Sequence, residues 1–179
     1  WGMSQNLVAV IPALAKVNLG VTSPLMVNAM LALSILGIMV GAYLSARKSI
    51  NSVKVNNIYT GSTTITVCAI LVPIVSTLSF IPNSTALIIV SALILVFGIG
   101  AGMMLVPLNA LIQAHSAKDG LGSVLAGKNW IQNMAMIGLL LLTVLLAKSN
   151  VNSVYILYLN ALIAVVGFTV VLKRLKAIL

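Results

Sequence analysis

Acidic side chains are all but missing from this sequence, in which Asp119 is the only one among 179 residues. Histidine and cysteine are equally scarce, with His115 and Cys68 standing alone. Zinc and iron sites need clusters of His, Cys or carboxylate ligands, so a metal centre is excluded. A single thiol excludes an internal disulfide, and Cys68, set in an apolar run, reads as a packed core residue. No charge of either sign falls between Lys54 and Lys118. Soluble domains carry roughly 25% charged residues, so a stretch this long without an ion cannot coat one. What the chain has instead is apolar surface, 61% of its residues being hydrophobic. This is the composition of a protein whose solvent is a bilayer.

Measured against the ~20 residues that cross a bilayer as a helix, the apolar runs give six spans. They cover Trp1 to Val17, Pro24 to Leu44, Ile58 to Phe80, Thr85 to Leu108, Leu121 to Ala147 and Ser153 to Leu172. Each is expected to be a helix, because an apolar run in lipid satisfies its backbone groups internally. Thr22-Ser23-Pro24, Pro82-Asn83-Ser84 and Asn150 to Ser153 supply turn and cap signals between them. The fold class is therefore an all-α membrane protein, with one transmembrane domain over residues 1–179. Residue 1 is Trp, the first span opens without a flanking charge, and nothing resembles the basic start and cleavage site of a signal peptide. The expectation is the C-terminal part of a longer chain.

The ten basic residues are grouped. Arg47, Lys48 and Lys54 follow span two, Lys118 follows span four, and Lys173, Arg174 and Lys176 close the chain, whereas only Lys16 and Lys148 mark the other side. Cytoplasmic loops carry the excess of Lys and Arg, so both chain ends are expected in the cytoplasm. Nucleic-acid binding needs a basic face on a soluble element, and bases in short gaps between apolar runs do not make one.

Catalysis finds few candidates. His115 and Asp119 form an H-x-x-x-D pair, one residue tighter than the pair that acyltransferases use, and read as a solvated contact in the loop after span four. Gly122-Ser123 lacks the setting of a serine nucleophile, and no phosphate-cradling G-x-x-x-x-G-K occurs. The spans hold no Asp, Glu or His to relay protons. Neither an enzyme nor a cofactor is expected.

Polar groups inside the spans are the remaining signal, each costly in lipid unless it meets protein or water. Lys128, Asn129, Gln132 and Asn133 fall on adjoining strips of span five, and Asn109 and Gln113 share a face near the end of span four. Consecutive spans are antiparallel, so the two groups could converge at one end, either lining a substrate cavity or bonding helix to helix. Gln5 lies in span one, where Pro12 allows a bend, and Pro107 stands near the end of span four. Gly98 and Gly102 have the G-x-x-x-G spacing that lets helices approach closely.

The run from Gly98 to Gly102, then Val106-Pro107-Leu108-Asn109-Ala110-Leu111-Ile112-Gln113, then Asn129 with Asn133-Met134-Ala135-Met136, resembles the C-terminal half of lysophospholipid transporters of the major facilitator superfamily. The link from Gly41 to Arg47 looks like a degenerate form of that superfamily's G-x-L-A-D-R-x-G-R-R loop, without its Asp. The resemblance implies a six-helix half built from two inverted three-helix repeats, a missing N-terminal half, and spans one, two, four and five around a central cavity. It implies inward movement of lysophospholipid, mainly lysophosphatidylethanolamine, across a bacterial inner membrane for re-acylation, with an acyltransferase as a partner. Lys128 would meet the lipid phosphate, and Gln5, Asn109, Gln113, Asn129, Gln132 and Asn133 its polar atoms. Pro12, Gly41, Arg47, Gly98, Gly102 and Pro107 would serve packing or gating. The alternatives are a drug or metabolite exporter of the same superfamily, and a membrane scaffold that does not transport.

Overall fold

Long apolar runs become helices here, as their backbone groups require in lipid. The structure, a computed structural model, describes residues 2–48, 55–116 and 120–176. It has six helices: α1 (Gly2–Val17), α2 (Pro24–Lys48), α3 (Val55–Thr77), α4 (Asn83–His115), α5 (Leu121–Lys148) and α6 (Ser153–Lys176). Five of them, α2 to α6, are long and apolar enough to cross a membrane. The expected first span falls short of that measure, since α1 covers 16 described residues and Trp1 lies outside them.

Helix ends differ from the expected span ends in a consistent way. α2 runs on to Lys48 and α4 to His115, so the Gly41 to Arg47 link and the tail of span four are helical, not loops. Apolar character marks where lipid ends, whereas Ala46, Arg47 and the residues from Leu111 to His115 are free to continue a helix into water. α3 sits three residues earlier than its apolar run suggests and stops at Thr77, ahead of the turn from Leu78 to Pro82. Pro24 opens α2 as its start signal predicts, whereas α4 begins at Asn83, two residues ahead of the expected Thr85, with Pro82 at the N-cap position and no side-chain capping bond. Asn152 accepts the Val154 backbone N–H through Oδ1 at 3.0 Å, after Asn150 has turned the chain at φ 56°.

The helices pack in the order α2, α4, α3, α6, α1, α5. Exchanging α1 with α4, α2 with α5 and α3 with α6 carries the α2–α4 contact onto α5–α1, the α3–α4 contact onto α6–α1, and α3–α6 onto itself. The closest approach is between α2 and α4. A Cβ added at Gly41 would stand 2.0 Å from the Ile99 carbonyl oxygen, and one at Gly98 2.3 Å from that of Ser34. Gly37 and Gly102 are as tight, each 2.2 Å from a carbonyl oxygen across the interface. Gly100 turns the opposite way and meets α3, where Gly61 allows its carbonyl to come within 3.0 Å of such a Cβ.

One end of the bundle gathers Arg47, Lys128 and Lys173; the other holds Lys16 and Lys148. The core fills the half away from the larger basic group, with Ile11, Leu14, Val72, Val90, Ile94 and Leu157 almost wholly enclosed. Toward the basic end the helices leave a cavity of about 210 Å³.

Candidate functional site

Lys128 and Asn109 meet. Lys128 Nζ donates to Asn109 Oδ1 at 2.5 Å, joining α5 to α4 at the basic end. Lys128 lies seven residues from the start of α5 and Asn109 six from the end of α4, so at ~1.5 Å of rise per residue both are roughly 10 Å inside their helix ends. The described residues contain no carboxylate side chain. The ammonium ion is therefore held by a neutral amide oxygen, which leaves its charge available to an anion.

The span-five cluster divides between two faces. Lys128 and Gln132 are half-buried and begin a stripe that continues through Met136, Leu139 and Thr143 toward α1. Asn129 and Asn133 stand about 100° further round and are exposed, beside Trp130 and Ile131 at 65% and 66% exposure. α5 buries none of its residues fully. Gln113 is likewise exposed, and Gln5 is half-buried on α1. None of Gln5, Gln113, Asn129, Gln132 and Asn133 hydrogen-bonds through its amide to another described residue. The structure thus joins Lys128 to Asn109 and leaves the other five amides apart from that pair.

His115 belongs to α4, where its Nδ1 pairs with the Leu111 carbonyl at 3.0 Å; Asp119, its expected partner, lies outside the described residues, as do Lys54 and Lys118. No metal-holding group of His, Cys, Asp or Glu occurs among the described residues. Arg47 is exposed at the end of α2, and Pro12 is exposed on an unbroken α1.

Pro107 is buried inside α4 and cannot donate to the Met103 carbonyl one turn back. Ser45 does so instead, its hydroxyl reaching that oxygen at 3.3 Å, and Asn57 Nδ2 donates in turn to Ser45 Oγ at 3.3 Å. The proline's missing bond is thereby replaced by a buried polar tie through α2, α3 and α4. At the α1–α5 contact, Thr143 Oγ1 donates to the buried Asn6 Oδ1 at 2.5 Å. Ser45, Asn57 and Thr143 escape a reading of sequence alone, although the spacing of Gly37 and Gly41 and the unmet carbonyl behind Pro107 are signals that point toward their neighbourhood, and Asn6 is visible in the sequence as a polar residue of span one ahead of Pro12. No protein-family model, curated protein or solved structure matches the chain.

Proposed function

We propose that this chain is one half of an alternating-access transporter of the major facilitator type, moving lysophospholipid, mainly lysophosphatidylethanolamine, inward across a bacterial inner membrane. The observation that carries the reading is the pair of Lys128 and Asn109, an intramembrane cation held by an amide with no described acid beside it. Such a group favours a phosphate-bearing amphiphile over a cationic drug, which it would repel. The way the α2–α4 and α3–α4 contacts map onto α5–α1 and α6–α1 when the first three helices are exchanged with the last three supports two inverted repeats, the architecture of such halves. The uncovered amides of Asn129 and Asn133 support a second half lying against α5, because amides facing lipid alone are costly. An acyltransferase on the cytoplasmic side would consume the delivered lysolipid.

The test is lysolipid flipping in vesicles by this half together with the proposed second half, compared with the 179-residue chain alone. The larger protein is expected to flip lysophosphatidylethanolamine in preference to a lysolipid-sized cation, and the isolated half to match protein-free vesicles, since alternating access rocks two halves about one site. Intact assembly with no flipping of any amphiphile would favour a scaffold, and preferential export of the cation would favour a drug exporter.

A further inference from the structure

We infer that the partly open hollow within this half, walled by α1, α3 and α4, by α6 and by Ile38 of α2, is a pocket for the single acyl chain of a phosphate-bearing amphiphile whose headgroup sits at Lys128 and Asn109. The headgroup class rests on the transport reading above; the pocket rests on its own geometry. Its walls include Phe97, Ala101 and Leu105 of α4, Ile65 of α3, and Gly167 and Phe168 of α6. The hollow measures about 210 Å³ and is lined mainly by apolar atoms, the Ser62 and Thr66 hydroxyls in its wall being bonded to backbone oxygens of α3. A space of that size takes a segment of one acyl chain at most. A diacyl lipid would have to leave its second chain outside.

The hollow has a cause in the sequence. On α6 the residues that reach the core near its start are Ile156 and Leu157, whereas one to two turns on they are the small Ala161 and Ala164, and the exposed Gly167 lines the open side of the hollow. A Cβ added at Gly167 would meet nothing within 4 Å. The polar end is placed by α4. Asn109 follows Leu105 by one turn, about 6 Å along the axis, and Leu105 is a wall of the cavity. Lys128 Nζ is bonded to Asn109, so the cation stands close to the basic end of an apolar pocket, the arrangement that a single-chain phospholipid complements. The chain would then be selected inside one half, away from the cleft between halves.

The test uses the 179-residue chain in nanodiscs of diacyl phosphatidylcholine, with lysophosphatidylethanolamine carrying a diazirine at the end of its acyl chain. Photolabelling followed by peptide mapping is expected to mark residues 101–108 of α4 and 164–171 of α6. Gly167→Leu fills the hollow and should lower that labelling several-fold, while Gly138→Leu, also in open space but on α5, should leave it unchanged. An uncharged monoacylglycerol probe of equal chain length should label the same peptides more weakly. Labels spread over the exposed faces of α2 and α5 and indifferent to Gly167→Leu would overturn the pocket and show annular lipid only. That result would leave lysolipid flipping by the larger protein untouched, and absence of flipping would leave a Gly167-dependent label standing, so the two failures are distinguishable.

Discussion

Among the described residues Lys128 is the one base lying well inside an apolar helix, and its bond to Asn109 turns a costly position into a defined one. A charged side chain at full depth in a helix costs about 2.5 to 3.5 kcal/mol, so a lysine kept there only by snorkelling should be replaceable. If it holds a lipid phosphate, Lys128→Ala in the proposed two-half transporter should lower lysolipid flipping at least tenfold at matched membrane abundance. Lys128→Arg should retain part of the rate, since charge survives while the point-like ammonium becomes a fork. Wild-type rates in Lys128→Ala would return the residue to packing. Lys128 and Asn109 were legible beforehand because each is a polar residue in an apolar run, and antiparallel spans bring their ends together. That Asn129 and Asn133 face outward was not, because i, i+4 spacing says which residues share a face and not what the face meets. Ser45 gave no signal either: a serine in a helix becomes informative only once Met103, deprived of its donor by Pro107, is known to lie across from it.

Between elements, the glycines decide what packs tightly. Gly37 and Gly41 on α2 interlock with Gly98 and Gly102 on α4 so closely that a methyl at any of the four would fall 2.0 to 2.3 Å from a backbone oxygen. Backbone cannot swing aside as a side chain can, so the helices themselves would have to part. Gly41→Ala or Gly98→Ala should therefore cost at least the ~1 to 3 kcal/mol typical of overpacking, read as a lower midpoint in thermal or detergent unfolding. Gly138→Ala on α5, with open space around its Cβ, should be neutral or gain up to ~1 kcal/mol from helix propensity. Equal effects at all three positions would mean that α2 and α4 do not touch through glycine. Half of this interface was visible as the spacing of Gly98 and Gly102. The other half went unread because Gly41, seen beside Arg47, looks like part of a loop motif, although Gly37 and Gly41 lie four apart inside the expected second span and share a face of α2.

At the scale of the whole molecule, the exchange of α1, α2 and α3 with α4, α5 and α6 relates contacts of unequal quality. The α2–α4–α3 group is drawn together by glycine, while the α5–α1–α6 group meets through larger groups such as Leu139 against Gly2 and Thr143 against Asn6. α5, with no fully buried residue, is the element that most needs a surface from elsewhere. The antiparallel course of successive helices places Arg47, Lys128 and Lys173 toward one end and Lys16 and Lys148 toward the other. Counting the loop bases as well, seven lie in the links and tail on the first side against two on the second, and Lys and Arg in short loops set orientation. The first end should face the cytoplasm. In a Cys68→Ala background, where the buried native thiol is gone, His115→Cys and Ser149→Cys place a reporter at opposite ends on exposed residues without altering the count of Lys and Arg. An impermeant maleimide added to intact cells should label position 149 at once and position 115 only after permeabilisation. The reverse pattern would invert the membrane orientation and put Lys128 at the outer side, where it could receive a lysolipid arriving from outside but not release one inward.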